Sequence, residues 1–314
     1  MADKKTIVVM GATGSQGGGL VRAILNDKNG PFAVRAVTRD VNSEKAKALA
    51  ADGAEVVAGD LDNPASIDAA FAGAYGAYCV TFFWAHLSPE REMIEARTMA
   101  DAARRAGLQH VVWSTLEDTR TFIPLSDNRM PTLLEKYKVP HFDAKGQSDA
   151  FFAGVPTTYQ LASFYWENFI YFGLNPKRSA DGGLELVLPI GDKKLAGIAS
   201  EDIGKCALGI FKRGSELAGR RIGLAGDQLT GPQMAADMSK AIGQPVRFNS
   251  IEPDAFRSFG FPGAAEIGNM FQFYRDFAAE LNQTRSVEMS RSLNPDLLSF
   301  EAWLAQNGKK MPVQ

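Results

Sequence analysis

Residues 6–20 read TIVVMGATGSQGGGL, an apolar run from Thr6 to Met10 that breaks into glycines at Gly11, Gly14, Gly17, Gly18 and Gly19. A short β-prone run, a glycine turn and then helical spacing mark a buried strand, a tight loop and a helix. Such a loop can hold an anion. Glycine lets the backbone approach phosphates, and the helix start offers unpaired N–H groups and the positive end of a dipole. The spacing is G-x-x-G-x-x-G, not the G-x-G-x-x-G of the dehydrogenase fingerprint, but it stands where a βαβ unit needs it.

Outward from this loop, the first half alternates strand-like and helical segments. Strands are expected at 6–10, 34–38, 55–58, 77–81, 110–114 and 157–161, with helices at 17–25, 43–51, 64–71, 89–106 and 143–152. This order predicts an α/β fold, a Rossmann-type doubly wound parallel sheet. After Leu161 the alternation loosens. LELVLPIGDKKLAGIA (184–199) reads as two apolar runs joined in a hairpin or edge ribbon through Gly191 and Asp192. A helix should open at Ser200 as N-cap, and Thr230 and Gln233 have capping-box spacing. The phenylalanine-rich last third reads as a smaller, mainly helical lobe. The expected organisation is a Rossmann domain for a dinucleotide over 1–161 and a substrate or lid lobe over 162–314 that returns some elements to the first.

The chain has 314 residues, 45% of them hydrophobic, enough for a sizeable core, and a net charge of −2 without long charged runs. That balance points away from nucleic acid and membrane surfaces and toward small molecules or proteins. Two distant cysteines, Cys79 and Cys206, suggest neither disulfide framework nor metal site. His86 and His110 lack metal-ligand spacing and read as structural, so no metal is expected. MADKK leads into a strand without a signal-peptide apolar region, and the expected setting is cytoplasmic.

The end of the second strand selects the cofactor. An NAD site places a carboxylate there for the ribose hydroxyls, whereas AVTRD (36–40) places Arg39, a planar fork of donors suited to a 2'-phosphate. NADP(H) is therefore expected. Asp40 is the competing residue, and a one-residue shift of the boundary would reverse the choice. Ser43 and Lys45 are candidates to close the phosphate pocket. Asp60 and Leu61 follow the third strand, toward the adenine, and Thr81, Phe82 and Phe83 follow the fourth.

Together these motifs resemble the NmrA-like family, atypical members of the short-chain dehydrogenase/reductase superfamily. The matching pieces are GATGSQGG, VTR, GDLDN, EARTMADAARRAGLQHVVWSTLED, HFDAKG, FYWENF, GFPGAAEIGNMFQFY and SLNPDLLSFEAWL, nearly end to end. The likeness is closest to the NADPH-sensing NmrA-like proteins. It implies cofactor contacts at Gly11, Ala12, Thr13, Gly14, Ser15, Gln16 and Gly17, Arg39, Asp60, Leu61, Thr81, Phe82, Phe83, Lys145, and Tyr165, Trp166, Glu167 and Asn168. It also implies a redox sensor that changes self-association, as a homodimer, or a regulatory protein partner, with NADPH supply.

Superfamily enzymes carry Tyr-x-x-x-Lys, in which the lysine holds the nicotinamide ribose and lowers the phenol's pKa. Here HFDAK (141–145) keeps Lys145 and has His141 in place of the phenol. Neutral imidazole is a weak acid, which favours a sensor that binds NADPH without an intact catalytic pair. The alternative is an NADPH-dependent reductase of quinone, enone or aromatic substrates. In it Lys145 relays the proton, as in isoflavone-reductase-like relatives, with His141 and the strand-end Ser114 beside it. An aromatic belt of Phe82, Phe83, Trp84, Phe164, Tyr165 and Trp166 would then receive a flat substrate.

Overall fold

The apolar run forms β1 (Lys5–Val9) and the glycine-rich stretch opens α1 (Ser15–Asn26), in a computed structural model that describes residues 4–312. The alternation continues as β2 (Phe32–Thr38), α2 (Glu44–Ala51), β3 (Glu55–Ala58), α3 (Pro64–Phe71), β4 (Gly76–Cys79), α4 (Pro89–Arg105), β5 (His110–Thr115), α5 (Pro140–Ser148) and β6 (Thr157–Leu161). Helix α5 starts at Pro140, earlier than expected, because proline at the first helical position lacks an N–H that would go unpaired anyway. His141 and Lys145 therefore lie one turn apart on a single helix.

The second half contributes β7 (Phe164–Tyr165), α6 (Asn168–Tyr171), β8 (Lys177–Arg178), β9 (Leu184–Leu188), β10 (Lys194–Ile198), α7 (Ser200–Arg213), β11 (Arg221–Leu224) and β12 (Asp227–Thr230). Then follow α8 (Gly231–Ile242), β13 (Val246–Ser250), α9 (Pro253–Arg257), α10 (Ala264–Asp276), α11 (Ala278–Thr284), β14 (Arg285–Ser286), α12 (Val287–Leu293) and α13 (Phe300–Asn307).

Eight parallel strands form the main sheet in the order β3-β2-β1-β4-β5-β6-β11-β14. The winding reverses between β1 and β4, which opens a crevice at their carboxyl ends. Leu20 and Ile24 of α1 and Ile203 and Ile210 of α7 bury one face of the sheet, and Ile67, Phe71, Met99 and Ala103 of α3 and α4 bury the other. Helices α1 and α7 touch backbone to backbone. A Cβ on Gly19 would run into the Glu201 carbonyl, and one on Gly204 into the Leu20 amide.

Two local expectations are corrected. β9 and β10 do not pair with each other: β9 lies between β13 and β8, and β10 between β12 and β7, in separate three-stranded sheets. The Gly191–Asp192 turn thus connects two sheets rather than closing a hairpin. Helix α7 takes Ala199 as its N-cap, with Ser200 as its first residue, because the Ser200 N–H is held by the Glu167 carboxylate at 2.9 Å. The Thr230/Gln233 capping box forms as expected at the start of α8. The small sheets and α8–α11 and α13 enclose a second core around Phe164, Phe169, Phe271, Phe300 and Trp303.

Candidate functional site

The loop after β1 closes by a bond from the Gly14 N–H to the Gly11 carbonyl, 2.9 Å. Gly17 is required by close approach, since a Cβ there would overlap the Gly11 carbonyl. Gly11, Gly14 and Ser15 are exposed, Thr13 is half-buried, and Ala12 and Gly17 are buried. No side chain caps α1, so its first-turn amides remain available to an anion. The loop is anchored by Gln16. Its amide donates to the Tyr165 hydroxyl, and its carbonyl accepts from the Tyr78 hydroxyl and from Ser114 Oγ, the latter at 2.8 Å. Burial pushes both phenols well above their ordinary pKa, so they stay neutral.

At the end of β2, Arg39 is exposed and makes no hydrogen bond or ion pair among the described residues. Asp40 accepts the Asn42 N–H at 2.8 Å in a local turn. The guanidinium is therefore free while the competing carboxylate is engaged. The Ser43 hydroxyl caps α2, accepting from the Ala46 N–H (3.3 Å) and donating to the Asp40 carbonyl (3.0 Å), and Lys45 is exposed beside it. Asp60 is exposed, its carboxylate on the Asp62 N–H at 3.0 Å, and Leu61 leans half-buried on the α3/α4 side of the core.

Past β4, Phe82 is 60% exposed and Phe83 is buried. Thr81 is buried as well. Lys145 Nζ donates to Thr81 Oγ1 at 2.7 Å and to the Ser114 carbonyl at 3.3 Å, and lies 3.1 Å from Glu92 Oε1. Thr81 Oγ1 in turn donates to Glu92 Oε1 at 2.5 Å. One turn before Lys145, the His141 ring lies 5.0 Å from that of Trp84, and its Nδ1 is 2.7 Å from Glu266 Oε1, which also accepts the His141 backbone N–H at 2.8 Å. Lys145, His141 and Ser114 thus gather near the crevice, with the Ser114 hydroxyl turned to Gln16.

The Tyr165–Asn168 segment divides. Tyr165 reaches the loop through Gln16, whereas Trp166 packs on Phe300 and Trp303 in the second core. Both Glu167 oxygens are taken, by the Ser200 N–H and by Trp303 Nε1 at 3.0 Å. Asn168 is half-buried and opens α6. The aromatic belt likewise splits, with Phe164 and Trp166 in the core and Phe82 and Trp84 at the crevice.

The family model that matches is that of the NmrA-like family, over residues 3–304. The chain belongs to the NmrA-like family. Among NmrA-like relatives, the oxidoreductase FrzB of Cladobotryum sp. is 29% identical over 319 residues, covering 91% of this chain and 92% of that protein. The solved structure of NmrA, a negative transcriptional regulator, in complex with NADP shares the fold at a TM-score of 0.77 and 24% identity, covering 97% of this chain and 95% of that one. The triphenylmethane reductase of Citrobacter sp. complexed with NADP(H) does so at a TM-score of 0.73 and 19% identity, covering 97% and 99%. Both of those proteins were solved with NADP(H); in this chain the glycine loop and the ends of β2 and β4 border the crevice where open α/β sheets take ligands.

Within this NmrA-like scaffold the structure also gathers residues that the sequence reading left out. His86, read as structural, sits with Nε2 3.7 Å from both Glu92 Oε2 and Glu95 Oε2. The three ligand-type atoms lie within 4.8 Å of one another. A metal would need the Nε2 lone pair, but the Ser88 N–H donates to Nδ1 at 3.0 Å, so the ring proton is on Nε2. Burial raises the Glu95 carboxyl above its ordinary range. The signal for Glu92 was present in the sequence: Glu92, Glu95, Ala96 and Met99 share the buried face of α4, and a carboxylate on an apolar stripe needs a partner. Glu266, in the GFPGAAEIGNMFQFY stretch, had no local signal.

A separate cleft of about 490 Å³ opens between α5, β11 and α11. Its lining includes Glu117, Asp149 and Arg221 and none of the residues expected at the site. Among the described residues no helix is long and apolar enough to cross a membrane.

Proposed function

We propose that this NmrA-like protein binds NADP(H) at the crevice, with Arg39 on the 2'-phosphate and the α1 amides on the pyrophosphate, and reduces a small conjugated or aromatic substrate. When bound, NADPH supplies a hydride. Lys145 holds the nicotinamide ribose side of the site and supplies the proton. The observation that carries this reading is the Lys145 ammonium, buried at the end of β4 and bonded to Thr81 and Glu92. A buried charge set in a polar chain at a crevice is costly to keep for stability alone and fits proton chemistry. His141 is also better placed than the sequence suggests, because the Glu266 carboxylate fixes its ring through Nδ1.

The test follows NADPH absorbance with a quinone or enone acceptor. Turnover should vanish in Lys145→Ala while the fold persists and NADPH affinity falls far less than turnover. Arg39→Ala should weaken NADPH by roughly 10- to 100-fold, as expected for a charge-assisted bond, and leave NADH nearly unaffected. Equal losses for both nucleotides would remove the 2'-phosphate assignment.

A second reading, an NADPH sensor acting through a homodimer or a regulatory partner in the cytoplasm, is favoured by the His141–Glu266 contact, which ties the crevice to α10. Cofactor binding with no turnover across a reductase panel, together with an oligomeric state that follows the NADPH/NADP+ ratio, would select it.

A further inference from the structure

We propose that the cleft between α5, β11 and α11 is a second small-molecule site, built for a monocation: a primary amine carried on an apolar or aromatic body. None of the residues expected at the crevice lines it, and it is independent of whether the crevice houses a reductase or a sensor. Its volume of about 490 Å³ lies in the range of small-ligand pockets.

The walls are held by close approaches that leave no slack. On α5, Gly146 lies against the backbone of Asp118, where a Cβ would overlap the Asp118 amide. On β11, Gly223 pairs in register with Leu161 at the end of β6, and a Cβ on it would run into the Thr284 carbonyl at the end of α11. Helix α5 and α11 are thus each pinned to the sheet side of the cleft, and the space between them stays open. Its apolar surface comes from Leu161 and Leu281, both buried, and from half-buried Phe122. The Phe122 ring is fixed edge-on by Phe273 and Phe277, at 5.3 and 5.4 Å. A ligand meeting walls already ordered loses little affinity to their immobilisation.

Charge selects the ligand. Four carboxylates line the cleft, those of Glu117, Asp118, Asp149 and Glu280, against the single guanidinium of Arg221. Three of the four are matched by an arginine each. Arg285 holds the two Glu117 oxygens at 2.6 and 2.7 Å, Arg120 holds the two Asp118 oxygens at 2.7 Å, and Arg221 bonds the Asp149 carboxylate. Asp149 is further fixed by Trp113 Nε1 at 2.9 Å and Thr115 Oγ1 at 2.6 Å, so it does not turn to another partner. Glu280 is exposed, and its side chain has no hydrogen-bond or ion-pair partner among the described residues. The cleft therefore carries one uncompensated negative charge beside an apolar wall. A monocation with an apolar body neutralises the charge and covers the wall. An anion meets only guanidiniums that are already engaged and is repelled.

The experiment titrates 2-phenylethylamine into the full chain and follows backbone amide shifts by NMR, with 2-phenylethanol and 3-phenylpropionate as neutral and anionic counterparts of similar shape. The amine should bind about 5-fold more tightly than the alcohol, the upper range for an exposed ion pair, and the carboxylate should not bind. Its shifts should centre on residues 117–122, 146–149 and 280–284, and saturating NADP+ should leave its affinity unchanged. Glu280→Gln changes only an exposed side chain and should bring the amine down to the affinity of the alcohol. Equal affinities of amine and alcohol in wild type, shifts centred on the glycine loop, competition by NADP+, or undiminished amine affinity in Glu280→Gln would overturn the site. Wild type that binds none of the three compounds would overturn it as well, and each of these results leaves the readings of the crevice standing.

Discussion

His110, at the start of β5, shows how one buried residue sets pH dependence without taking part in the site. Thr158 gives its hydroxyl proton to the Leu217 carbonyl, so Thr158 Oγ1 accepts from His110 Nε2, 2.9 Å away, and Nδ1 is left bare and buried. Burial pushes the imidazole down to about 4. The unfolded chain takes up a proton near the ordinary histidine value of about 6.5, whereas the folded protein does not until near 4. Stability is therefore full above that ordinary value and is lost as pH falls through this window. The loss should reach about 2 kcal/mol by about pH 5. Denaturant titrations at neutral and mildly acidic pH should show this slope in wild type and a flatter one in His110→Leu. An equal slope in the variant would move the cause elsewhere. His110 and His86 look alike in the sequence. Only the fold separates them, by giving one a single hydroxyl and the other two carboxylates.

At the scale of elements, the glycine-rich stretch serves two surfaces. Gly11, Gly14 and Gly17 build the loop, while Gly19 lies against α7, which arrives from residue 200 onward. Gly204 answers it from α7. Replacing Gly204 by alanine should force the two helices apart and destabilise the protein by roughly 1–3 kcal/mol, the usual cost of overpacking. Because α1 carries the loop, NADPH affinity should fall together with the melting temperature. A variant of unchanged melting temperature would show that the interface yields freely. The first-half elements were legible because each depends on local pattern: apolar runs, a proline or serine at a helix start, and glycine at the turn. The β9/β10 hairpin was misread for the complementary reason. Two apolar runs around a turn specify strands but not their partners, and here the partners, β13 and β12, follow much later in the chain. Arg39 could be placed from a strand end, Lys145 from the Tyr-x-x-x-Lys spacing, and Glu92 stood on the apolar stripe of α4, whereas His86 and Glu266 depend on tertiary contacts that no spacing records.

At the scale of the molecule, α10 is stitched to the segment that leads into α5. Glu266, Asn269 and Gln272, spaced three apart on one face, bond the His141 N–H and ring, the Lys138 and Pro131 carbonyls, and the Arg129 carbonyl at 2.6–2.9 Å. All three side chains are buried. The polar stripe in the EIGNMFQF stretch thus reads the backbone of residues 129–141, and any displacement of His141 by a bound nucleotide is felt first at Glu266. For this contact to carry a signal, the two arrangements of α10 must differ in NADPH affinity, since only differential binding shifts a population. In wild type, NADPH should slow amide exchange over residues 264–276. Glu266→Gln, which keeps the volume and removes the charge that orders the imidazole, should abolish most of that protection. It should also weaken NADPH by roughly 5-fold or more, the lower range of typical coupling energies. Reciprocity makes the test strict. If affinity falls while protection of α10 persists, Glu266 only orients His141 and the lobe does not report occupancy. If both change together, the same contact that orients the imidazole also makes the second half of the chain responsive to the cofactor.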